Sequence, residues 1–271
     1  MRPSKVMKFL FFTPHPDDIE LGCPFVYLQA LRQGHAVVEV VMTNGEFGTT
    51  CREFKGARLV RIRKHELARA NKVFEQSTSH TVHVRYLGYI DGYLPLTPDA
   101  IDRVTHLIRA EKPNFVFTCD PLYAQDFHPD HLRTGLLVYY SLFRLRKVER
   151  PWVFYYYSTK TDCYIKCRWV DFRLVAAALA EHKSQYSPLA VKFIIMFYNK
   201  LSICRHFLER GWVSESFRAQ PYRNGTPITP GHISLLQRLI YYIFSTITLW
   251  GVRQLHDLTP EQVGLDQTKT Y

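Results

Sequence analysis

Two short segments concentrate groups able to do chemistry. "FFTPHPDDIELG" (11–22) ends an apolar run at a proline and then places His15, Asp17, Asp18 and Glu20 within six positions. "FHPDH" (127–131) repeats the character with His128, Asp130 and His131. Imidazole nitrogen and carboxylate oxygen are both donors to zinc, and a catalytic zinc site keeps one position open for water. His15 and Asp18 from the first segment, joined by His131 from the second, would make such a three-donor set. Asp17 would then stand beside the ion without binding it, free to accept a proton from water. His128 would face it from the other side, as an imidazolium able to steady an oxyanion or protonate a leaving group, with Asp130 fixing its orientation. An HxxD or HxxH spacing alone is common by chance, and acids after a strand often only cap a helix. The weight lies in finding both segments at matching places in the fold.

Those places follow from the hydrophobic pattern. "VMKFLFF" (6–12), "HAVVEVVMT" (35–43), "TVHVRYL" (81–87), "NFVFTCD" (114–120) and "WVFYYYS" (152–158) read as strands. Between them lie segments of helical period, at 25–34, 59–74, 97–113 and 128–143, with Thr97 as N-cap and Pro98 in the first turn of the third. Alternation of this kind predicts an α/β fold: a Rossmann-like, mostly parallel sheet with helices on both faces. Ligands bind such sheets beyond the carboxyl ends of the strands, where both segments fall. From about residue 170 the pattern reads as mostly helical, including "VKFIIMFYNKLSICRHFLERG", with loop signals at 218–232 before a last apolar helix. The division expected is a main domain over 1–218 and a helical C-terminal extension over 219–271.

Composition sets the bounds. With 271 residues, 46% of them hydrophobic, the chain can bury a substantial core. Lys and Arg number 35 against 24 Asp and Glu, a net charge of +11 that favours anionic partners. Six scattered cysteines without a CxxC pair read as reduced thiols of a cytoplasmic protein; Cys163 and Cys167 read as structural. The apolar start is too short for a signal peptide, and "LIYYIFSTITLW" (239–250), preceded by Gln237 and Arg238, is too short for a membrane span. That run suits a core helix, an oligomer contact or an interfacial segment.

"TPHPDDIELG" with "FHPDH" resembles the PIG-L/LmbE-like family of zinc-dependent N-acetylglucosaminyl de-N-acetylases. The likeness continues through "VVMTNGEFG", "RIRKHELARA", "YLGYIDGYL", "AEHKSQY" and "SESF", in order over roughly residues 6–218. The resemblance implies metal ligands at His15, Asp18 and His131, Asp17 as general base, and His128 as the polarising or acid group. It further implies sugar contacts at Arg63 and Asp91; a solvated helix face and a turn before Gly92 are the bland readings of these. Some members carry a tyrosine where Asp126 stands here.

The expected function is therefore a metal-dependent hydrolase releasing acetate from an N-acetylglucosamine-type conjugate. The basic helices and the run at 239–250 suggest a lipid- or phosphate-linked sugar and peripheral contact with an anionic membrane. Zn²⁺ is the expected ion; Fe²⁺ or another divalent ion suits the same donors. No nucleic-acid partner is expected, and a homo-oligomer is left open. Two other classes compete: a non-catalytic glycoconjugate-binding protein on the same fold, and a metal-dependent phosphoesterase, which generally needs more carboxylates.

Overall fold

The computed structural model describes residues 5–196, 214–221 and 235–270. Its spine is a seven-stranded sheet in the order β3-β2-β1-β4-β5-β7-β6. The strands are β1 (Lys8–Thr13), β2 (Ala36–Thr43), β3 (Val82–Tyr89), β4 (Phe115–Cys119), β5 (Trp152–Tyr156), β6 (Cys163–Lys166) and β7 (Ser214–Pro221). β1 to β5 are parallel, and β7 and β6 close the far edge with antiparallel pairing.

The helices are α1 (Asp18–Gly22), α2 (Pro24–Arg32), α3 (Ala57–Thr78), α4 (Pro98–Glu111), α5 (Pro129–Arg144) and α6 (Asp171–Leu179). Successive strand residues point to opposite faces, so each strand feeds two cores. Phe11 and Phe117 pack with Tyr27 of α2, Phe74 of α3 and Phe172 of α6. Leu10, Phe12 and Val116 pack on the other face with Val104 and Ile108 of α4 and Leu137 and Leu142 of α5. The expected N-cap of α4 is present: the Thr97 hydroxyl accepts from the Ala100 N–H.

The parallel strands run outward in both directions from β1, to β2 and β3 on one side and to β4 and β5 on the other. The junction of β1 with β4 is therefore the topological switch point, where the loops after the two strands diverge and leave a crevice. The first motif follows β1 and the second follows β4.

The mostly helical reading beyond residue 170 needs correction. Ser214–Pro221 is a strand, and it runs across the domain boundary placed after residue 218. Alternating hydrophobicity could not reveal it, because buried positions in it are charged. The Glu215 carboxylate accepts from the N–H groups of Phe25 and Val26, 3.2 and 2.8 Å away, capping the start of α2. The Arg218 guanidinium grips Asp120 through both oxygens, at 2.6 and 2.8 Å. Most of the helix expected over 191–211, and the loop beyond residue 221, lie outside the described residues. The C-terminal apolar run falls within a helix, Leu235–Leu255. Among the described residues no helix is long and apolar enough to cross a membrane.

One core residue is an acid. Glu39 of β2 is fully buried; its Oε2 accepts from Asn71 Nδ2 at 2.8 Å and from the Tyr27 hydroxyl at 3.1 Å. Burial, reinforced by the nearby Glu20 charge, raises its pKa from 4.5 to about 8. The folded state thus holds a proton on Glu39 that the unfolded chain has lost above about pH 4.5. Its contribution to stability is full below that pH and is lost as pH rises through about 8. Glu39→Gln is expected to flatten the stability profile over this window and to exceed wild type at pH 8.5 by on the order of a few kcal/mol, as read from urea unfolding midpoints at pH 5, 7 and 8.5.

Candidate metal and catalytic site

Because β1 and β4 are neighbours, the loops that follow them meet. His15 Nδ1 lies 3.2 Å from Asp18 Oδ2, His131 Nε2 lies 3.3 Å from Asp18 Oδ1, and the two ring nitrogens lie 3.3 Å from one another. Bonds of ~2.0–2.2 Å to a tetrahedral ion place adjacent donors ~3.3–3.6 Å apart. These three side chains therefore converge with nearly the spacing of one face of such a tetrahedron. Donor atoms of His15, His128 and His131 also lie within 4.8 Å of one another.

The outer nitrogens of the two imidazoles are both held by acids. His15 Nε2 is 3.1 Å from Asp91 Oδ1 and 3.5 Å from Asp130 Oδ2. His131 Nδ1 is 3.1 Å from Asp126 Oδ2, and its ring stacks on Tyr157 at 5.5 Å. A carboxylate behind a ligating imidazole fixes its orientation and raises its basicity. Burial opposes charge on both rings, but the acids override it. Asp91, Asp130 and Asp18 push His15 well above its ordinary range, and Asp126 and Asp18 push His131 up to about 10. A field that draws positive charge this strongly fits a divalent cation, and the donor set fits zinc.

Asp17 lines the same cavity but has partners of its own. Its Oδ1 receives Arg63 Nη2, and its Oδ2 accepts from the Tyr186 hydroxyl at 2.6 Å. Burial alone would raise its pKa; the Arg63 charge, with help from His182 and Tyr186, holds it below the ordinary carboxylate range. Arg63 comes from α3 and reaches Asp17 through a gap left by Gly45. That residue has a positive φ of 70°, and a Cβ there would fall 2.1 Å from Arg63 Nη1. One turn along α3, Glu66 accepts from the Ser184 N–H at 2.8 Å and hydroxyl at 2.6 Å. This draws the segment after α6 inward and delivers Tyr186 to Asp17. Glu20, on the buried side of α1, faces His182 with 3.5 Å between Oε1 and Nε2.

His128 caps α5: its Nδ1 accepts from the Asp130 N–H at 3.2 Å. Burial and the neighbouring His15 and His131 charges lower its pKa to about 4. These surroundings favour the neutral imidazole, and with Nδ1 accepting from Asp130 its hydrogen belongs on Nε2, whereas the sequence pointed to an imidazolium. Asp130 does orient His128, but with its main-chain N–H. Its carboxylate accepts from the Gly92 N–H at 2.6 Å and the Leu94 N–H at 3.4 Å, tying the loop after β3 to α5.

Arg63 and Asp91 were expected from the resemblance to contact the sugar. Both are buried, and both line a cavity of about 210 Å³ shared with Asp17, Asp18, His128 and His131. Arg63 is committed to Asp17 and to the Gly45 carbonyl, 3.3 Å from Nη1. Asp91 holds His15 through Oδ1 and accepts from the Phe47 N–H at 3.3 Å through Oδ2. Tyr186, Tyr157, Gln185, Leu255 and His256 line the same cavity and were given no role from the sequence. "AEHKSQY" held the first signal of this. Nothing in the local pattern marked Leu255 or His256.

Fold and site together define a Rossmann-like α/β protein with a histidine–aspartate centre at the carboxyl edge of its parallel strands. Residues 10–141 match the family described as "PIG-L: GlcNAc-PI de-N-acetylase". It is 32% identical over 134 residues to diacetylchitobiose deacetylase of Thermococcus kodakarensis, covering 49% of this chain and 48% of that protein. It is 30% identical over 147 residues to "Probable N-acetyl-alpha-D-glucosaminyl L-malate deacetylase 2" of Bacillus subtilis, covering 52% of this chain and 63% of that protein. The matches thus span roughly half to just under two thirds of these relatives' lengths. Among solved structures, N,N'-diacetylchitobiose deacetylase from Pyrococcus horikoshii, complexed with its inhibitor MPG, superposes with a TM-score of 0.72. That match has 25% identity and covers 83% of this chain and 88% of that one.

The buried Arg63–Asp17 pair has a measurable cost of removal. With metal chelated, Arg63→Met is expected to lower unfolding stability by about 3–5 kcal/mol, since it strands a buried carboxylate. Tyr186→Phe removes one hydrogen bond and is expected to cost about 1 kcal/mol. Urea titrations of the two variants side by side test that order.

Proposed function

We propose that this chain hydrolyses the acetamide of an N-acetylglucosamine-type conjugate, releasing acetate and a free amino sugar. The observation that carries the reading is Asp17, a buried carboxylate at the edge of the donor cluster, kept ionised by Arg63 and oriented by Tyr186. The deacetylase names of the relatives point the same way.

His15, Asp18 and His131 would hold the ion, Zn²⁺ by preference. Bound there, it would supply Lewis acidity, lowering the pKa of a coordinated water to about 7. Asp17 accepts the proton of the attacking water and afterwards returns it to the departing amine nitrogen. The Arg63 contact keeps Asp17 ionised until that moment, and Tyr186 fixes which oxygen faces the cavity. His128, neutral and with its hydrogen on Nε2, donates to the acetyl oxygen as negative charge develops there. Asp91 and Asp126 hold the two ligating rings in register. Arg63 and Asp91 serve the sugar indirectly, by shaping the cavity floor.

A phosphoesterase built on two ions would need further free carboxylates. Asp91, Asp126 and Asp130 surround the cluster, but imidazoles and main-chain N–H groups already engage them. This favours one ion and amide hydrolysis over that class. Retention of a poised base favours catalysis over sugar binding alone.

The finer reading concerns the aglycone. Thr248, Gly251, Val252 and Leu255 of the C-terminal helix border a hollow beside His128. Leu239, Tyr242, Ile243, Ile247 and Trp250 on the same helix are exposed. An apolar surface continuous with the mouth of the site suits a conjugate with an apolar tail, met at a lipid surface.

Two measurements check these statements. Asp17→Asn is expected to lose at least 10³-fold in acetate release from N-acetylglucosamine conjugates while retaining its metal by plasma mass spectrometry; His131→Ala is expected to lose both. An active Asp17→Asn protein would remove the role given to that residue. Flotation with phosphatidylserine vesicles is expected to carry the protein at low and at high salt. Trp250→Glu combined with Ile247→Glu is expected to leave it in the pellet fraction.

A further inference from the structure

The residues that close the cavity on the side away from Asp17 come from the far end of the chain. Leu255 and His256 line it, and the segment that carries them is fixed at three levels. Lys55, whose side chain is 1% exposed, donates its ammonium to the Leu255 carbonyl and to the Asp257 carboxylate, one on either side of His256. Arg52 adds a second cation to Asp257. Beyond it, Leu258, Val263 and Leu265 pack with Phe47 and Ile90, from the loops after β2 and β3. Burying an ammonium is costly unless it is paired, so a chain that commits Lys55 to this junction fixes the position of residue 256.

His256 itself is seated to face the cavity. Its ring lies 4.8 Å from that of Phe47 and 6.3 Å from that of Tyr93, and Nε2 stands 3.6 Å from Asp91 Oδ1. Gly92 makes this approach possible: its φ is 80°, and a Cβ there would fall 2.4 Å from His256 Cε1. Donor atoms of Asp91, His128 and His256 lie within 4.8 Å of one another, so the two imidazoles flank one opening.

Resting on the hydrolase reading above, we infer that His256 is a substrate-binding residue that hydrogen-bonds a hydroxyl of the sugar, and that Lys55 is the positioning residue that holds it there. A ring nitrogen at the cavity wall suits a hydroxyl, which can both donate and accept. The contact is made in ground and transition states alike, so its loss falls on KM more than on kcat. The C-terminal extension then completes the sugar site of the α/β domain.

The test compares wild type, His256→Ala, His256→Gln and Lys55→Met as full chains loaded with zinc. Acetate release is measured against chitobiose-type N-acetylglucosamine oligosaccharides, and binding of the same sugars is measured by calorimetry in the Asp17→Asn background. His256→Ala is expected to raise KM and the dissociation constant about tenfold, equivalent to ~1.4 kcal/mol, and His256→Gln to recover most of that. Lys55→Met is expected to raise KM similarly and to remove amide-exchange protection over residues 252–260. Unchanged KM and affinity in His256→Ala would overturn the contact. Unchanged exchange in Lys55→Met would overturn the tether. A wild type that neither hydrolyses nor binds these sugars would overturn the deacetylase reading and this contact together, whereas failure confined to the variants overturns the contact alone.

Discussion

Acids crowded into a dry crevice at the end of a parallel sheet must each find positive charge or a donor. That single electrostatic constraint organises the molecule. Asp17 takes Arg63 and Tyr186, Asp18 takes the inner nitrogens of His15 and His131, Asp91 and Asp126 take the outer nitrogens of the same rings, and Asp130 takes main-chain N–H groups. Left unpaired, any of them would be neutralised or would destabilise the fold. The surrounding elements can be understood as the means of bringing those partners in. Gly45 clears a path for Arg63, and Glu66 on the same helix pulls in the segment bearing Tyr186.

The same rule explains the far edge of the sheet. β7 carries Glu215 and Arg218 into the interior because each completes something distant in sequence: the first turn of α2 and the carboxylate of Asp120. Arg218 lies 4.2 Å from the Tyr155 ring centre, so its stem and guanidinium also pack as an aromatic neighbour would. Asp120 begins the loop that carries Asp126 and leads through His128 to His131 in the first turn of α5. A strand that reads as polar is thus an anchor for the loop that follows β4.

Much of the frame was legible without coordinates. The parallel strands other than the edge strand β3 are near-continuous apolar runs, the expected mark of burial on both faces, and the long helices packed on them show their period. His15, Asp17, Asp18, His128 and His131 were legible too, because a strand end that turns abruptly to acid and imidazole has few structural uses. What misled was local reading of charge. Arg63 sits among Arg61 and Lys64 on a basic helix, and nothing in the string separates the buried member from its solvated neighbours. Asp91 before Gly92 looks like a turn, and it is one, but its carboxylate also faces His15. The lowered pKa of His128 comes from burial and from the charges of His15 and His131, the first of them more than a hundred residues away in sequence.

The chain's own pattern therefore determined the layer architecture, the strand ends that bear the reactive groups, and the donor types gathered there. These are local properties: hydrophobic period, turn residues and short spacings are all written within a few tens of residues. Tertiary structure alone decided that β1 lies beside β4, so that His15 and His131 share a centre. It also decided which partner each acid takes, and which residues from the end of the chain wall the cavity. Those outcomes depend on strand order and on pairing between buried charges, and both are settled by contacts across the whole fold, with no trace in neighbouring sequence.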